Sequence, residues 1–326
     1  MPSGPSLNSG NLIVMTQRVL QNGRLLPDLE AKLTAEYDVH LIGAGADDDA
    51  YLAEHGSEFI GLVTSARTGA NAALITKLPN LKVISSFGVG FDTIDLDATR
   101  KRGIAVSNTP DVLNDCVADI AFGLLIDVAR CLSASDRFVR RGDWLKGQYP
   151  LRTSVTGKRL GILGLGRIGQ AIARRSSGFE MDVRYHSRNP VEGVNWKHEP
   201  SLAALAQWCD FLVVAAAGGP TTKHLVSADI LTALGPNGYI INISRGTVID
   251  EAALVKALQD KSIAGAGLDV FEHEPKVPDG LMSLDNVVLL PHVASATHET
   301  RQAMGDLTFA NLQRFFKDGT LETPLY

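Results

Sequence analysis

A glycine-rich turn between a short apolar segment and an amphipathic segment constrains the fold of this chain more than any other feature. Residues 159–175 have the sequence RLGILGLGRIGQAIARR, which predicts a strand, a turn and a helix. The first glycine permits a tight turn, the second lets the backbone approach a ligand, and the third lets the helix pack on the strand. The helix N-terminus then faces an anion. Six residues are thereby predicted to bind the pyrophosphate of a dinucleotide: Gly164, Leu165, Gly166, Arg167, Ile168 and Gly169.

Short apolar segments rich in β-branched residues alternate with helical patterns along the whole chain. Continuous apolar strands separated by helices are typical of parallel sheets covered on both faces. We therefore predict an α/β protein with two doubly wound parallel-sheet domains. The predicted strands are 12–16, 38–43, 59–65, 82–88 and 104–108, followed by 159–164, 182–187, 211–216, 239–244, 264–270 and 286–293.

The boundary between the two domains is predicted from the long apolar pattern at 111–142. This pattern follows Pro110 and ends in Arg140, Arg141 and Gly142, as helix ends prefer, and predicts one long helix. A last helix is predicted over 299–317, crossing back to the first domain.

The predicted organisation is therefore an insertion of one domain into another. Residues 1–110 and 295–326 form a flavodoxin-like substrate domain, and residues 111–294 form a Rossmann-type dinucleotide-binding domain.

The stretch YHSRNP, residues 185–190, bears on the choice of cofactor. It falls about 20 residues beyond the glycine turn, where an Asp or Glu would bind a ribose 2′-hydroxyl and repel a 2′-phosphate. Ser187 removes that repulsion, and Arg188 can form charge-assisted bonds with phosphate. Alternatively, Arg188 is only a solvated surface residue. We predict that NADP(H) is preferred over NAD(H), with NAD(H) as the second option.

Three stretches in the second half bring residues with catalytic potential to the ends of predicted strands: Arg245 in the first, Asp269, Glu272 and Glu274 in the second, and His292 in the third. Ligands bind outside the carboxyl ends of strands in open parallel sheets, so we expect the three to converge. They suit reduction of a 2-keto acid, because a protonated histidine can supply the proton that the alkoxide needs. A carboxylate would orient the imidazole and favour its protonated form. A guanidinium would grip the substrate carboxylate and polarise the ketone.

Four stretches, GLGRIG, NISRG, LDVFEHEP and PHVASATHETR, resemble in order the signatures of the D-isomer-specific 2-hydroxyacid dehydrogenase family. The resemblance covers essentially the whole chain. It implies that Arg245 binds the substrate, Glu274 orients the histidine and His292 is the acid/base. It also implies that Asp269 binds the nicotinamide carboxamide. Glu272 does not match the position of the catalytic acid.

Further site residues follow only from the same resemblance. The stretch SFGVGFDTID is similar to the family's substrate loop, which implies that the backbone N–H groups of Val89 and Gly90 hold the substrate carboxylate. Ser295 is likewise assigned to the substrate, and Ala217 and Ile243 to the cofactor. The family usually has a bulkier residue near Gly218 and a threonine near Gly219, so VVAAAGGPTTKHL departs from its pattern.

Within the family, GDWLKGQYPL and YHSR look most like the glyoxylate/hydroxypyruvate and hydroxyphenylpyruvate reductases. The predicted activity is NADPH-dependent reduction of glyoxylate or hydroxypyruvate to the D-2-hydroxy acid. The first alternative is a hydroxyphenylpyruvate reductase or an enzyme for another bulky 2-keto acid. An alternative of another class is a dinucleotide-sensing protein with vestigial catalysis, which would not need Arg245, Glu274 and His292 together.

Composition sets the expected surroundings of the protein. A net charge of −5 does not favour nucleic acid. Three scattered cysteines indicate neither a metal site nor a disulfide framework and suit a reducing compartment. The N-terminal residues lack the pattern of a signal peptide, and no apolar run reaches the ~20 residues of a membrane span. We expect a cytoplasmic protein that binds neither nucleic acid nor membrane.

A homodimer is predicted through the 111–142 helix. Its apolar residues spread around much of the circumference, more than one internal face would use: Val117, Ile120, Ala121, Leu124, Leu125, Val128 and Leu132. The resemblance implies a two-fold dimer, with Trp144 close to the partner's active site. Alternatively, Trp144 anchors a linker against its own domain.

Overall fold

A computed structural model describes residues 17–43 and 47–326. These residues form two compact units. One comprises the described residues up to Thr109 together with Gly305–Tyr326, and the other comprises Pro110–Met304. The second unit thus continues about ten residues beyond the boundary predicted near 294.

The first unit is a five-stranded parallel sheet with strand order β2-β1-β3-β4-β5. This is the order of flavodoxin-like folds. Strands β3 and β4 are buried along almost their whole length, as expected for a sheet covered on both faces. Its elements are β1 (Arg18–Asn22), α1 (Pro27–Glu36), β2 (Asp38–Ile42), α2 (Asp48–His55), β3 (Gly61–Ser65), α3 (Ala72–Lys77), β4 (Val83–Phe87), α4 (Leu96–Lys101) and β5 (Ala105–Ser107).

The predicted strand at 12–16 lies outside the described residues. The structure instead begins its sheet with β1, which the sequence did not predict because Arg18 and Gln21 interrupt its apolar pattern. The C-terminal residues extend this sheet's edge: the Leu325 N–H donates to the Val106 carbonyl at 2.8 Å, and the Tyr326 hydroxyl donates to the Ile104 carbonyl at 2.8 Å.

The second unit contains a seven-stranded parallel sheet with strand order β12-β11-β10-β9-β6-β7-β8. Counted from β6, this is the Rossmann order 3-2-1-4-5-6 with one further strand. Its elements are α5 (Asn114–Arg130), α6 (Leu132–Arg140), β6 (Arg159–Leu163), α7 (Arg167–Arg175), β7 (Asp182–His186), β8 (Lys197–His198), α8 (Leu202–Trp208), β9 (Phe211–Val214), α9 (Ala228–Leu234), β10 (Tyr239–Asn242), α10 (Glu251–Gln259), β11 (Gly265–Leu268), α11 (Asp279–Met282) and β12 (Val287–Leu289).

Helix α12 (His298–Asp318) carries the chain from the second unit into the first, close to the predicted 299–317. The prediction of two doubly wound parallel α/β domains, one Rossmann-type and one flavodoxin-like, is confirmed by the two sheets. None of the helices in the described residues is long and apolar enough to cross a membrane.

The prediction of one helix over 111–142 is wrong. Cys131 adopts left-handed backbone angles, φ 54° and ψ 45°, and separates α5 from α6. Of the seven apolar residues expected to exceed one internal face, Val117, Ala121, Leu124, Leu125 and Val128 are buried within the chain, whereas Ile120 is half-buried and Leu132 is 50% exposed. Two glycines of β11 explain this close packing: a Cβ on Gly267 would lie 2.9 Å from the Leu124 Cβ, and one on Gly265 would lie 2.8 Å from Val128.

Candidate active site and cofactor site

The glycine turn after β6 has the geometry that its sequence predicted. Gly164 has φ +95°, and a Cβ there would lie 2.6 Å from the Ala216 nitrogen. A Cβ on Gly166 would meet nothing within 4 Å, so this position is open to a ligand. A Cβ on Gly169 would lie 2.2 Å from the Gly164 carbonyl oxygen, so glycine is required for α7 to approach the strand. The turn therefore fits a dinucleotide pyrophosphate at the N-terminus of α7.

The remaining residues predicted to bind the cofactor in this region differ in exposure. Leu165 and Ile243 are buried, whereas Ala217 is exposed and its carbonyl accepts a 2.8 Å hydrogen bond from the Thr222 hydroxyl. Arg167 is exposed and pairs with Asp111, with 3.0 Å between its Nε and the Asp111 Oδ1. Sequence reasoning did not anticipate this partner.

The loop after β7 carries the residues predicted to select the cofactor. The Ser187 hydroxyl donates to the Asn189 carbonyl at 2.6 Å, and the Ser187 carbonyl lies 3.0 Å from the His198 Nε2. Arg188 is exposed, and it has no hydrogen-bond or ion-pair partner among the described residues, 17–43 and 47–326. No acidic residue stands between Ser187 and Pro190. This end of the loop therefore presents a guanidinium that a phosphate could reach.

Arg245 lies three residues beyond β10, in a turn shaped by a buried amide. The Asn242 Nδ2 donates to the Arg245 carbonyl at 2.9 Å, and its Oδ1 accepts from the Ser244 N–H at 3.0 Å. Asn242 is 1% exposed, so this turn is fixed from inside the sheet. Sequence reasoning missed Asn242, although a polar residue closing the apolar strand YIIN is a recognisable signal.

Asp269, the first residue after β11, organises the segment that carries His292. Its carbonyl accepts the His292 N–H at 2.8 Å, and its carboxylate accepts the N–H groups of Val293 and Ala294 at 2.7 and 2.9 Å. Burial raises the pKa of the Asp269 carboxyl, although these two N–H bonds counteract the effect. His292 has φ 55°, a left-handed conformation that is uncommon for a residue with a side chain. The bonds from Asp269 hold it there.

Glu274 and His292 form a direct hydrogen-bonded pair. The His292 Nδ1 lies 2.8 Å from the Glu274 Oε2, and both side chains are half-buried. The other oxygen of Glu274, Oε1, accepts the Phe271 N–H at 3.2 Å. With Nδ1 engaged by the carboxylate, the Nε2 of His292 is the nitrogen left to exchange a proton with a ligand.

Gly246 sets the spacing between the Arg245 turn and the turn that carries Glu274. A Cβ on Gly246 would lie 1.9 Å from the Phe271 carbonyl carbon and 2.2 Å from the Glu272 nitrogen. Only glycine fits such a contact between two backbones. The two turns are therefore packed directly on one another, which the sequence did not reveal.

Val89 and Gly90 follow β4 in the first unit. The Val89 carbonyl accepts a 2.8 Å hydrogen bond from the Asn108 Nδ2. In the part of the chain that the structure describes, neither N–H group donates a hydrogen bond. Ser295 is half-buried in the segment after His292. The assignment of these three residues to the substrate stays a prediction.

Comparisons with known proteins decide the family. Residues 122–294 match the model for the D-isomer specific 2-hydroxyacid dehydrogenase, NAD binding domain. The chain belongs to this family. The family predicted from the sequence is therefore confirmed, and so is its class as an NAD(P)-dependent oxidoreductase.

Relatives of this dehydrogenase cover nearly all of its length. It is 45% identical to the glyoxylate/hydroxypyruvate reductase A of Arabidopsis thaliana over 297 residues, 91% of this chain and 95% of the relative. It is 46% identical to the hydroxyphenylpyruvate reductase of Plectranthus scutellarioides over 275 residues, 84% of this chain and 88% of the relative. The solved structure of an NADPH-dependent glyoxylate/hydroxypyruvate reductase from Sinorhizobium meliloti, in complex with NADP and malonate, matches with a TM-score of 0.90. The two share 43% identity, and the match covers 95% of this chain and 97% of that one.

Proposed function

We propose that this dehydrogenase reduces a small 2-keto acid, glyoxylate or hydroxypyruvate, to the D-2-hydroxy acid with NADPH. The single observation that carries the proposal is the 2.8 Å pair between His292 and Glu274 in the unit that bears the glycine turn. An acid–base pair beside a dinucleotide site is what carbonyl reduction requires. The names of the relatives support this class of substrate.

The residues of the glycine turn would hold the pyrophosphate of the dinucleotide, and Arg188 would hold its 2′-phosphate. Asp269, Ala217 and Ile243 would line the rest of the cofactor site. When bound, the reduced cofactor supplies the hydride for the carbonyl carbon. NADPH is preferred in this proposal because Arg188 is exposed and no acidic residue lies between Ser187 and Pro190 to oppose a phosphate. NAD(H) is the weaker alternative.

The proton comes from His292. Its Nε2–H donates to the substrate oxygen as negative charge develops there, and Glu274 stabilises the imidazolium through Nδ1. Arg245 binds the substrate carboxylate and polarises the carbonyl. The N–H groups of Val89 and Gly90, with Ser295, would complete carboxylate recognition.

A bulkier substrate is the second candidate, because the chain is also 46% identical to a hydroxyphenylpyruvate reductase. A dinucleotide-sensing protein without catalysis is the third. Such a sensor has no use for a carboxylate aligned on a histidine, so the Glu274–His292 pair argues against it.

We also propose a homodimer, through a surface that keeps Leu132 and Trp144 of the predicted contact but not the buried residues of α5. Five exposed apolar side chains cluster in α6 and the segment that follows it: Leu132, Val139, Trp144, Leu145 and Leu151. Exposed apolar groups concentrated in this way mark an interaction surface. Trp144 is 66% exposed, which favours a partner contact over an anchor against its own unit.

A cytoplasmic location is proposed as well, since Cys116, Cys131 and Cys209 are all free. The net charge of −5 argues against a nucleic-acid partner.

A steady-state panel tests the activity. Glyoxylate, hydroxypyruvate, phenylpyruvate and hydroxyphenylpyruvate would be compared with NADPH and with NADH. The proposal expects the highest kcat/KM for a small keto acid with NADPH. A higher value for an aromatic keto acid would favour the second candidate, and no turnover of any of them, with tight NADPH binding, would favour the sensor.

A further inference from the structure

A second carboxylate–histidine pair stands beside the one assigned to catalysis. The His224 Nε2 lies 3.2 and 3.4 Å from the two carboxylate oxygens of Glu272. Glu272 and Glu274 are separated by one residue in the same turn. Each holds a histidine of a different loop, and the chemistry proposed above uses only Glu274.

His224 is anchored to the segment that follows Arg245. Its N–H donates to the Thr247 carbonyl at 2.8 Å, and the Val226 N–H donates to the Val248 carbonyl at 3.0 Å. Like His292, His224 has a left-handed backbone, with φ 51°. The imidazole therefore extends from a backbone that is fixed against the Arg245 turn.

Glu272 is anchored from the other side. Its N–H donates to the Glu251 Oε1 at 3.1 Å, at the start of α10. Burial raises the pKa of the Glu251 carboxyl, and the nearby Glu272 carboxylate raises it further. The Glu272 carboxylate is in turn in contact with the His224 imidazole.

The position of Glu274 depends on this arrangement. The Phe271 N–H donates to the Glu274 Oε1 at 3.2 Å, and the backbone of Phe271 and Glu272 packs on Gly246 without space for a Cβ. If the turn moved away from Gly246, Glu274 would move relative to both Arg245 and His292.

We propose that His224 and Glu272 are positioning residues. Their contact fixes the turn that carries Glu274 against the segment that follows Arg245, and so keeps the acid–base pair in register with the substrate arginine. This inference rests on the proposed function of His292, Glu274 and Arg245.

The test uses Glu272→Gln and His224→Asn in the full-length enzyme. The first keeps the shape of the side chain, and the second keeps a residue type that tolerates left-handed angles. We expect each to lower kcat for NADPH-dependent glyoxylate reduction by about three- to tenfold, less than the ~100-fold that a 1 Å misplacement can cost. The KM for NADPH should stay within about twofold, because the glycine turn is not involved. The decline in reduction rate with rising pH should begin at lower pH, because Glu274 supports the imidazolium less well.

Controls separate positioning from stability and from failure of the proposed function. Lys256→Gln removes an exposed ion pair with Asp260 on α10 and should leave kcat and the pH profile unchanged. The double variant Glu272→Gln/His224→Asn should have a kcat no lower than that of the slower single variant, since the two substitutions break the same contact. A lower Tm with unchanged kcat and pH profile in both single variants would overturn the inference. His292→Asn serves as the reference: full activity in that variant would refute the proposed function itself, whereas its loss with unaffected Glu272→Gln would refute only the positioning role.

Discussion

Two regions of the seven-stranded sheet differ in how firmly their residues are held. The first comprises the ends of β10, β11 and β12, and the second is the loop after β7. Asp269 is fully buried and makes three hydrogen bonds to the His292 segment, which in turn contacts Glu274. Arg188, by contrast, is exposed, and it is the neighbouring Ser187 that bonds to Asn189 and His198. Proton transfer requires groups fixed before the substrate arrives. Selection of a phosphate requires only a charge that the ligand can reach.

This difference predicts that changes at the first region reduce turnover and that changes at the second alter the choice of cofactor. The largest effect is expected at His292. The substitution His292→Asn retains a residue that tolerates φ 55° but removes the acid, and kcat should fall by roughly 10²–10⁴-fold. The Kd for NADPH, measured by fluorescence titration, should change by less than about threefold. A kcat within tenfold of the parent would remove His292 from the chemistry.

The next effect is expected at Gly246. The substitution Gly246→Ala places a Cβ 1.9 Å from the Phe271 carbonyl carbon, so one of the two packed turns must move. We expect a loss of about 1–3 kcal/mol in the free energy of unfolding, measured with urea, and a kcat reduced at least tenfold. Gly178→Ala is the matched control, because a Cβ there meets nothing within 4 Å. Equal behaviour of the two variants would show that the packed turns do not matter.

An effect confined to one cofactor is expected at Arg188. The substitution Arg188→Ala should cost on the order of 1.5–3 kcal/mol in kcat/KM with NADPH, the range for a hydrogen bond to a charged group. With NADH the value should be unchanged, since no 2′-phosphate is present. Equal efficiencies of the parent enzyme with NADH and NADPH would contradict the assignment of Arg188.

The smallest effect is expected at Trp144. If this side chain contacts a partner subunit, Trp144→Ala should reduce discrimination among 2-keto acids by a few-fold and leave the Kd for NADPH unchanged. Light scattering over a dilution series gives the oligomeric state. A fully active monomer at micromolar concentration would rule out the contact. Leu151 is 99% exposed, and the oligomeric state of Leu151→Ala indicates whether the contact surface extends that far.

Much of the fold could be predicted because its signals are local. Alternating apolar strands and helices predicted both sheets, and three glycines predicted the turn after β6 with the conformation and spacing that the structure shows. The break at Cys131 could not be predicted, since nothing in the sequence marks a left-handed cysteine. The burial of α5 depends on Gly265 and Gly267, which lie more than a hundred residues away in sequence.

The candidate site was predictable to a similar degree. The pairing of Glu274 with His292 followed from the family resemblance and is present in the structure. Two of the contacts that support it were missed because Gly246 and the His224–Glu272 pair act between loops that are distant in sequence. Asn242 was missed as well, although its bonds to Ser244 and Arg245 are local. Local patterns indicate the candidate reacting groups, whereas tertiary packing determines what holds them.

We propose that proton chemistry and cofactor choice depend on separate parts of one sheet. Strands β7 and β11 are four inter-strand spacings apart, about 19 Å. A double-mutant cycle with Arg188→Ala and Glu274→Gln, measured as kcat/KM with NADPH and glyoxylate, tests the claim directly. The account predicts that the two losses add within about 0.5 kcal/mol, as they do for independent sites. A coupling above about 1 kcal/mol would contradict it.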